Sequence, residues 1–329
     1  MRMNRIIVSL LTLPFLMWSC SVIDEDLSDC GRDNRIDYRL RLITNIQAEL
    51  DDQLHSAEEQ HVAEALKAAL SGIFTETAHD VSLSFYGTDS VRAKHETHIM
   101  DASQTSYTIY LPVREYMHLA LANVADAANV SVSDDNKAQH SRLLQADGDT
   151  VASHTTGLFS ARLPMRVTEE ESQTFKVDLY MANSAAALVI DTAGVAGIQD
   201  IRIYSSGFAN SFVVRDSLYT YNRNPIVRSV PVGMSGGHHV CHYTVNFPSF
   251  QRPVSRATAE YWRFIAYVTV ADGSVTENII SIEKPLLPAH LKVVKMRMKD
   301  DGSLVPQTND VGVSVTLNWK QGGVYEPEL

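Results

Sequence analysis

No cluster of lysines and arginines occurs anywhere in this sequence. Lys and Arg number 28 against 39 Asp and Glu, a formal net charge of -11. Phosphate backbones are held by grouped cations, so this balance argues against nucleic acid as a partner. Catalytic signatures are missing too. There is no G-x-S-x-G, no P-loop, no G-x-G-x-x-G after a strand and no H-E-x-x-H. Met234-Ser235-Gly236-Gly237 is a flexible turn without the lysine and helix of a phosphate loop. No apolar run reaches the ~20 residues that cross a bilayer, and there is no short repeat or low-complexity tract. Cysteine is scarce, with three in 329 residues: Cys20, Cys30 and Cys241.

The N-terminus is the richest stretch. Arg2 and Arg5 precede an apolar run from Ile6 to Trp18, and Ser19 then stands directly before Cys20. A basic start, a short apolar segment and a small residue make a signal peptide, and a cysteine at the cut is the bacterial lipoprotein pattern. Met17 and Trp18 are loose matches to a strict lipobox. Residues 1–19 are read as the signal peptide, Cys20 as the lipid attachment site (palmitate among its acyl groups), and residues 20–35 as an acidic tether. Two or more acyl chains anchor stably, at ~0.8 kcal/mol per buried CH₂. With Cys20 spent on lipid, Cys30 and Cys241 remain in an oxidising compartment. They are either a disulfide or two separate thiols.

Beyond the tether, period-two alternation dominates. Tyr38, Leu40 and Leu42 face one way, Arg39 and Arg41 the other. One short amphipathic helix follows. Ser56 and Glu59 form its capping box, Val62, Leu66, Ala69 and Ile73 its apolar stripe, and Gly72 its end. Tyr107–Leu111 and Met117–Val124 are expected to pair around Pro112. The polar stretch 129–154 reads as a long surface excursion. Later strands carry Phe175, Val177, Leu179 and Met181, then Cys241, Tyr243, Val245 and Phe247, then Trp262, Phe264, Ala266, Val268 and Val270. Nothing alternates strand with helix as a parallel α/β sheet requires. The expected fold is all-β, two β-sandwich domains in tandem, one over 36–168 and one over 169–329.

His238, His239, Cys241 and His242 carry zinc-ligating atoms. On a strand, His239 and Cys241 point to one face and His238 and His242 to the other, so they do not converge on one ion. His95-Glu96-Thr97-His98 reads as a solvated loop. Tyr219, Tyr221, Tyr261, Trp262 and Trp319 have faces that stack on sugars, yet aromatics on sandwich strands are more often core. No catalytic residue, metal or cofactor is expected. The C-terminal set Val311, Val313, Val315, Leu317 and Trp319 is a long alternating strand. It either closes its own domain or fills a missing strand in another subunit, the mode called β-strand addition.

The run Cys20-Ser-Val-Ile-Asp-Glu-Asp-Leu-Ser-Asp-Cys30 resembles the start of the fimbrillin-associated anchor lipoproteins of Bacteroidetes, FimB-like minor subunits of type V fimbriae. Tyr107-Thr-Ile-Tyr-Leu-Pro, Tyr116-Met-His-Leu-Ala-Leu-Ala-Asn123 and Leu158-Phe159 before Phe175–Met181 are similar to later stretches of that family. The resemblance implies two transthyretin-like domains and a cell-surface structural role at the outer membrane. It implies a base subunit held by lipid on Cys20. Its C-terminal strand, Val311–Trp319, would fill the last major stalk subunit and stop elongation. The other reading is a tip adhesin, or a surface lipoprotein that binds a host glycan or protein. A surface hydrolase would require acid and base groups converging in a polar cleft.

Overall fold

The computed structural model describes residues 33–327, apart from 45, 55–58, 75–77, 100–105, 126, 171, 235, 254–258, 308–311, 321–322 and 324. Alternating apolar residues give strands nearly throughout, and the described strands form four sheets. The first runs, in spatial order, Arg92–Ile99, Asp80–Tyr86, Glu115–Ala122, Phe159–Arg166, Ser172–Met181, Asn34–Ile43 and Ser106–Leu111. Phe159–Arg166 and Ser172–Met181 meet at only two registered pairs, Tyr180 with Ser160 and Met181 with Phe159. The sheet turns there, and its two halves share one core. Ile36, Tyr38, Leu40, Val177 and Leu179 come from one half, and Val81, Leu83, Phe85, Ala120 and Met165 from the other.

A five-stranded and a six-stranded sheet form the second sandwich. The five-stranded sheet is ordered Val230–Pro231, His239–Asn246, Ser184–Asp191, Leu291–Met298 and Leu304–Pro306. The six-stranded sheet runs Val313–Lys320, Val275–Ile282, Trp262–Val270, Ile198–Ser206, Ile226–Arg228 and Thr150–Ala152. Between them lie Leu188, Ile190, Met296, Trp262, Phe264, Val268 and Ile280. Burying each such large side chain stabilises by ~1.5–3 kcal/mol. The alternation read along Trp262–Val270 is therefore a single core face.

The other face of the five-stranded sheet is also apolar. Ala187, Val189, Cys241, Tyr243, Val245 and Val293 join the first core. Two helices cover this face: α1 (Ile46–Gln53) and α2 (Gln60–Ser71). In α2, Val62 and Leu66 are buried as expected, but Leu70 rather than the half-buried Ala69 completes the core-facing side, and Ile73 is buried just past the helix end. Ser56, and with it the expected capping box, lies outside the described residues; Glu59 stands at the N-cap of α2 and its carboxylate lies 2.8 Å from Lys295 Nζ. The expectation of one helix is corrected to two. Among the described side chains of α1, Ile46 and Leu50 mark its buried side, too few for a periodic signal.

Three further expectations change. Ser106–Leu111 pairs with Asn34–Ile43, and Glu115–Ala122 pairs with the strands beginning at Asp80 and Phe159, so the two do not pair with each other. Residues 95–98 sit inside the edge strand Arg92–Ile99 rather than in a loop. The stretch 129–154 is not a mere excursion. Val130–Ser133 and Arg142–Gln145 form a four-stranded sheet with Ser211–Val213 and Leu218–Thr220. This sheet buries Leu143 and Phe212 against Tyr86, Leu119 and Leu121 on the outer face of the first sheet. Such strands are too short for periodicity to reveal. Past residue 168, Ser172–Met181 runs parallel to Asn34–Ile43 through nine registered pairs, and the chain enters the five-stranded sheet at Ser184.

Candidate functional site

The last strand, Val313–Lys320, lies antiparallel to Val275–Ile282 through eight registered pairs, from Ile282 with Val313 to Val275 with Lys320. It ends its sheet, so among the described residues its second edge has no strand partner. Val313 and Val315 are half-buried and pack on the second core. Leu317 is 39% exposed and Trp319 59% exposed. The alternation of the C-terminal set therefore persists, but only its first half reaches the core. Val311 lies outside the described residues.

Polar contacts pin the far end of this strand through one carboxylate. Glu277 accepts from Tyr267 Oη at 2.7 Å and Asn318 Nδ2 at 2.8 Å, and Lys320 Nζ lies 3.6 Å away. Burial opposes ionisation of Glu277. The bonds from Tyr267 and Asn318 and the charge of Lys320 outweigh it, and the carboxyl sits below its usual range. Tyr325 then stacks on Tyr267 with ring centroids 6.2 Å apart. The sequence reading missed Glu277, because nothing in its strand shows that it faces residue 318.

Edge strands invite pairing by other chains, and charge usually blunts them. The edge strand Arg92–Ile99 follows this rule with Arg92, Lys94, His95, Glu96 and His98. Val313–Lys320 does not, since its single charged residue is Lys320.

Cys20 and Cys30 lie outside the described residues. Cys241 is buried beside Val189 of the neighbouring strand, and burial pushes its thiol up to about 12. It is unreactive as a thiolate at neutral pH. His239 lies on the helix side, its ring centroid 5.1 Å from that of His61 in α2. His242 is buried on the opposite side of the strand, and burial lowers it to about 4. Among the described residues no three His, Cys, Asp or Glu side chains are placed to hold a metal. Trp262 is fully buried and donates to Lys284 O at 3.1 Å, and Tyr219 donates to Ala182 O at 2.8 Å. Of the five aromatics singled out in the sequence, Trp319 presents the most open face.

The fold has solved counterparts. A protein of Bacteroides thetaiotaomicron VPI-5482, described as a candidate for polysaccharide binding, is 9% identical over 88% of this chain and 98% of its own, with a TM-score of 0.51. A candidate adhesin of the same organism is 8% identical over 89% and 99%, again with a TM-score of 0.51. These two likenesses establish the shared fold. The fimbrial anchor protein Mfa2 of Porphyromonas gingivalis is 8% identical over 88% of this chain and all of its own, with a TM-score of 0.49. No curated protein sequence matches significantly. The sequence model of the fimbrillin-A associated anchor proteins Mfa1 and Mfa2 matches residues 63–231, just over half of the 329 residues, and the chain belongs to that family.

Proposed function

We propose that this fimbrial subunit is the lipid-anchored base of a surface fibre. Cys20 carries the acyl chains that hold it in the outer membrane. The segment from Val311 to Trp319 serves as the strand given to the last stalk subunit, which ends elongation. Residues 36–168 and 169–329 are its two domains, with the linking strand Ser172–Met181 paired to the first sheet.

The observation that supports this reading is the state of the last strand. In its own sheet it has a ladder on one side, and Leu317 and Trp319 remain open to solvent. Between two strands of a stalk subunit, both edges would pair and both side chains would be buried. Main-chain bonds lost at home are replaced one for one, and a net hydrogen bond is worth only ~0.5–1.5 kcal/mol. The gain comes from the second ladder and from the apolar area removed from water.

Two experiments test the proposal. Cys20→Ala should release intact fibres into the medium, and fibres that stay cell-bound refute the anchor. Deleting residues 311–319 should free fibres while Cys20 is still acylated. Attachment unchanged by that deletion refutes strand donation.

A further inference from the structure

A cavity of about 550 Å³ opens between two turns and a pair of strand ends. One is the turn 87–90, which joins the strands Asp80–Tyr86 and Arg92–Ile99. Its backbone is closed by Gly87 N to Val91 O and Ser90 N to Gly87 O, both 2.9 Å. Ser90 stands at φ 63, in the left-handed region. The paired ends of the strands Glu115–Ala122 and Phe159–Arg166 bring Met117, Glu115 and Arg166 to the wall. The other turn, after Ser211–Val213, carries Arg215.

Arg166 and Arg215 both line this cavity, and neither side chain has an ion-pair or hydrogen-bond partner among the described residues. Arg215 is half-buried. Glu115 is the register partner of Arg166, yet the two make no ion pair. Arg114, the other nearby cation, is held away over the Tyr116 ring at 4.9 Å from its centroid. Arg166 is exposed, so both guanidinium groups keep water on their donors and offer them to an incoming anion. Planar forks of donors match a carboxylate. Thr88 and Ser90 line the same cavity, and Met117 adds apolar surface. Sugar rings offer hydroxyl edges and an apolar C–H face, and the volume suits small ligands of this kind.

We propose that this pocket binds a carboxylated sugar, with Arg166 and Arg215 on the carboxylate and Thr88 and Ser90 on ring hydroxyls. The site is independent of Cys20 and of the last strand, so its failure leaves the anchor reading untouched, and the reverse. The test is calorimetric titration of the full chain with glucuronate and with N-acetylneuraminate. Glucose and the peptide acetyl-glycyl-glutamate serve as controls. At least one acidic sugar should bind saturably at millimolar concentration or below. Arg166→Gln and Arg215→Gln should each weaken that binding at least ~10-fold. Unchanged melting temperatures would show that both variants fold. Absence of binding by either acidic sugar overturns the proposal, as does equal binding of glucose. Binding of the peptide alone, or affinity unaltered in both well-folded variants, overturns it too.

Discussion

Replacing Trp319 with Ser separates two roles of the last strand. In the isolated chain this indole is 59% exposed. Its contribution to the fold is thus a minor part of the ~1.5–3 kcal/mol that full burial of a large apolar side chain supplies. The substitution should cost the isolated chain no more than ~1 kcal/mol, a shift of only ~1–2 °C in melting temperature for a chain of 329 residues. If the strand fills a groove in a stalk subunit, the same side chain becomes buried there, and its loss removes the remainder of that free energy. At 1.4 kcal/mol per factor of ten, affinity for the stalk subunit should fall ~10-fold. Val315→Ser should behave differently. Val315 already packs on the second core, so both the fold and the complex should weaken. The assay pairs thermal melting of the purified chain with titration against purified stalk subunit. A large melting shift with unaltered affinity for Trp319→Ser would refute the reasoning, because the residue would then serve its own fold alone.

Acid should destabilise the protein through its buried histidines. Burial lowers His118 to about 4, His154 to about 3 and His242 to about 4, from an ordinary 6.5. The unfolded chain therefore binds protons that the folded chain refuses. Stability is full above pH 6.5 and is lost as pH falls toward about 4. Denaturant midpoints across that range should decline, and His118→Gln should flatten the slope. Asn123 sits at φ 61 and bridges His79 N at 2.8 Å and Gly157 O at 3.1 Å. Asn123→Ala should cost ~2–4 kcal/mol in urea unfolding, through orphaned backbone groups and left-handed strain. Asn123→Gly should recover only the strain. Glu277→Leu should speed amide exchange across Val313–Lys320, since Tyr267, Asn318 and Lys320 all meet on that carboxylate. Exchange that stays slow in this strand would show that its ladder alone holds it.

Much of this molecule is written in local pattern. Period two alone marks Asn34–Ile43, Trp262–Val270 and the strand after Val311, because a pleated strand with one buried face must alternate. The all-β class and most of the apolar stripe of α2 follow in the same way, and of the stretches that carried the family resemblance, those at Tyr107, Tyr116 and Leu158 lie inside the matched residues 63–231. What local pattern leaves open is partnership. Glu49 and Gln53 of α1 bond the main chain of Leu291 and Val293, across more than two hundred residues, and so cover a strand edge that no neighbouring strand fills there. Ser106–Leu111 pairs with the strand at Asn34 rather than with its chain neighbour, since pairing depends on which faces share a core. Strands as short as Arg142–Gln145 carry too few residues for any period and exist because Leu143 finds a buried place against the first sheet. The exposure of Trp319 and the meeting of Arg166 with Arg215 are likewise tertiary facts. The alternation of side chains is a property of each strand, whereas burial and neighbourhood are set only when distant strands come together.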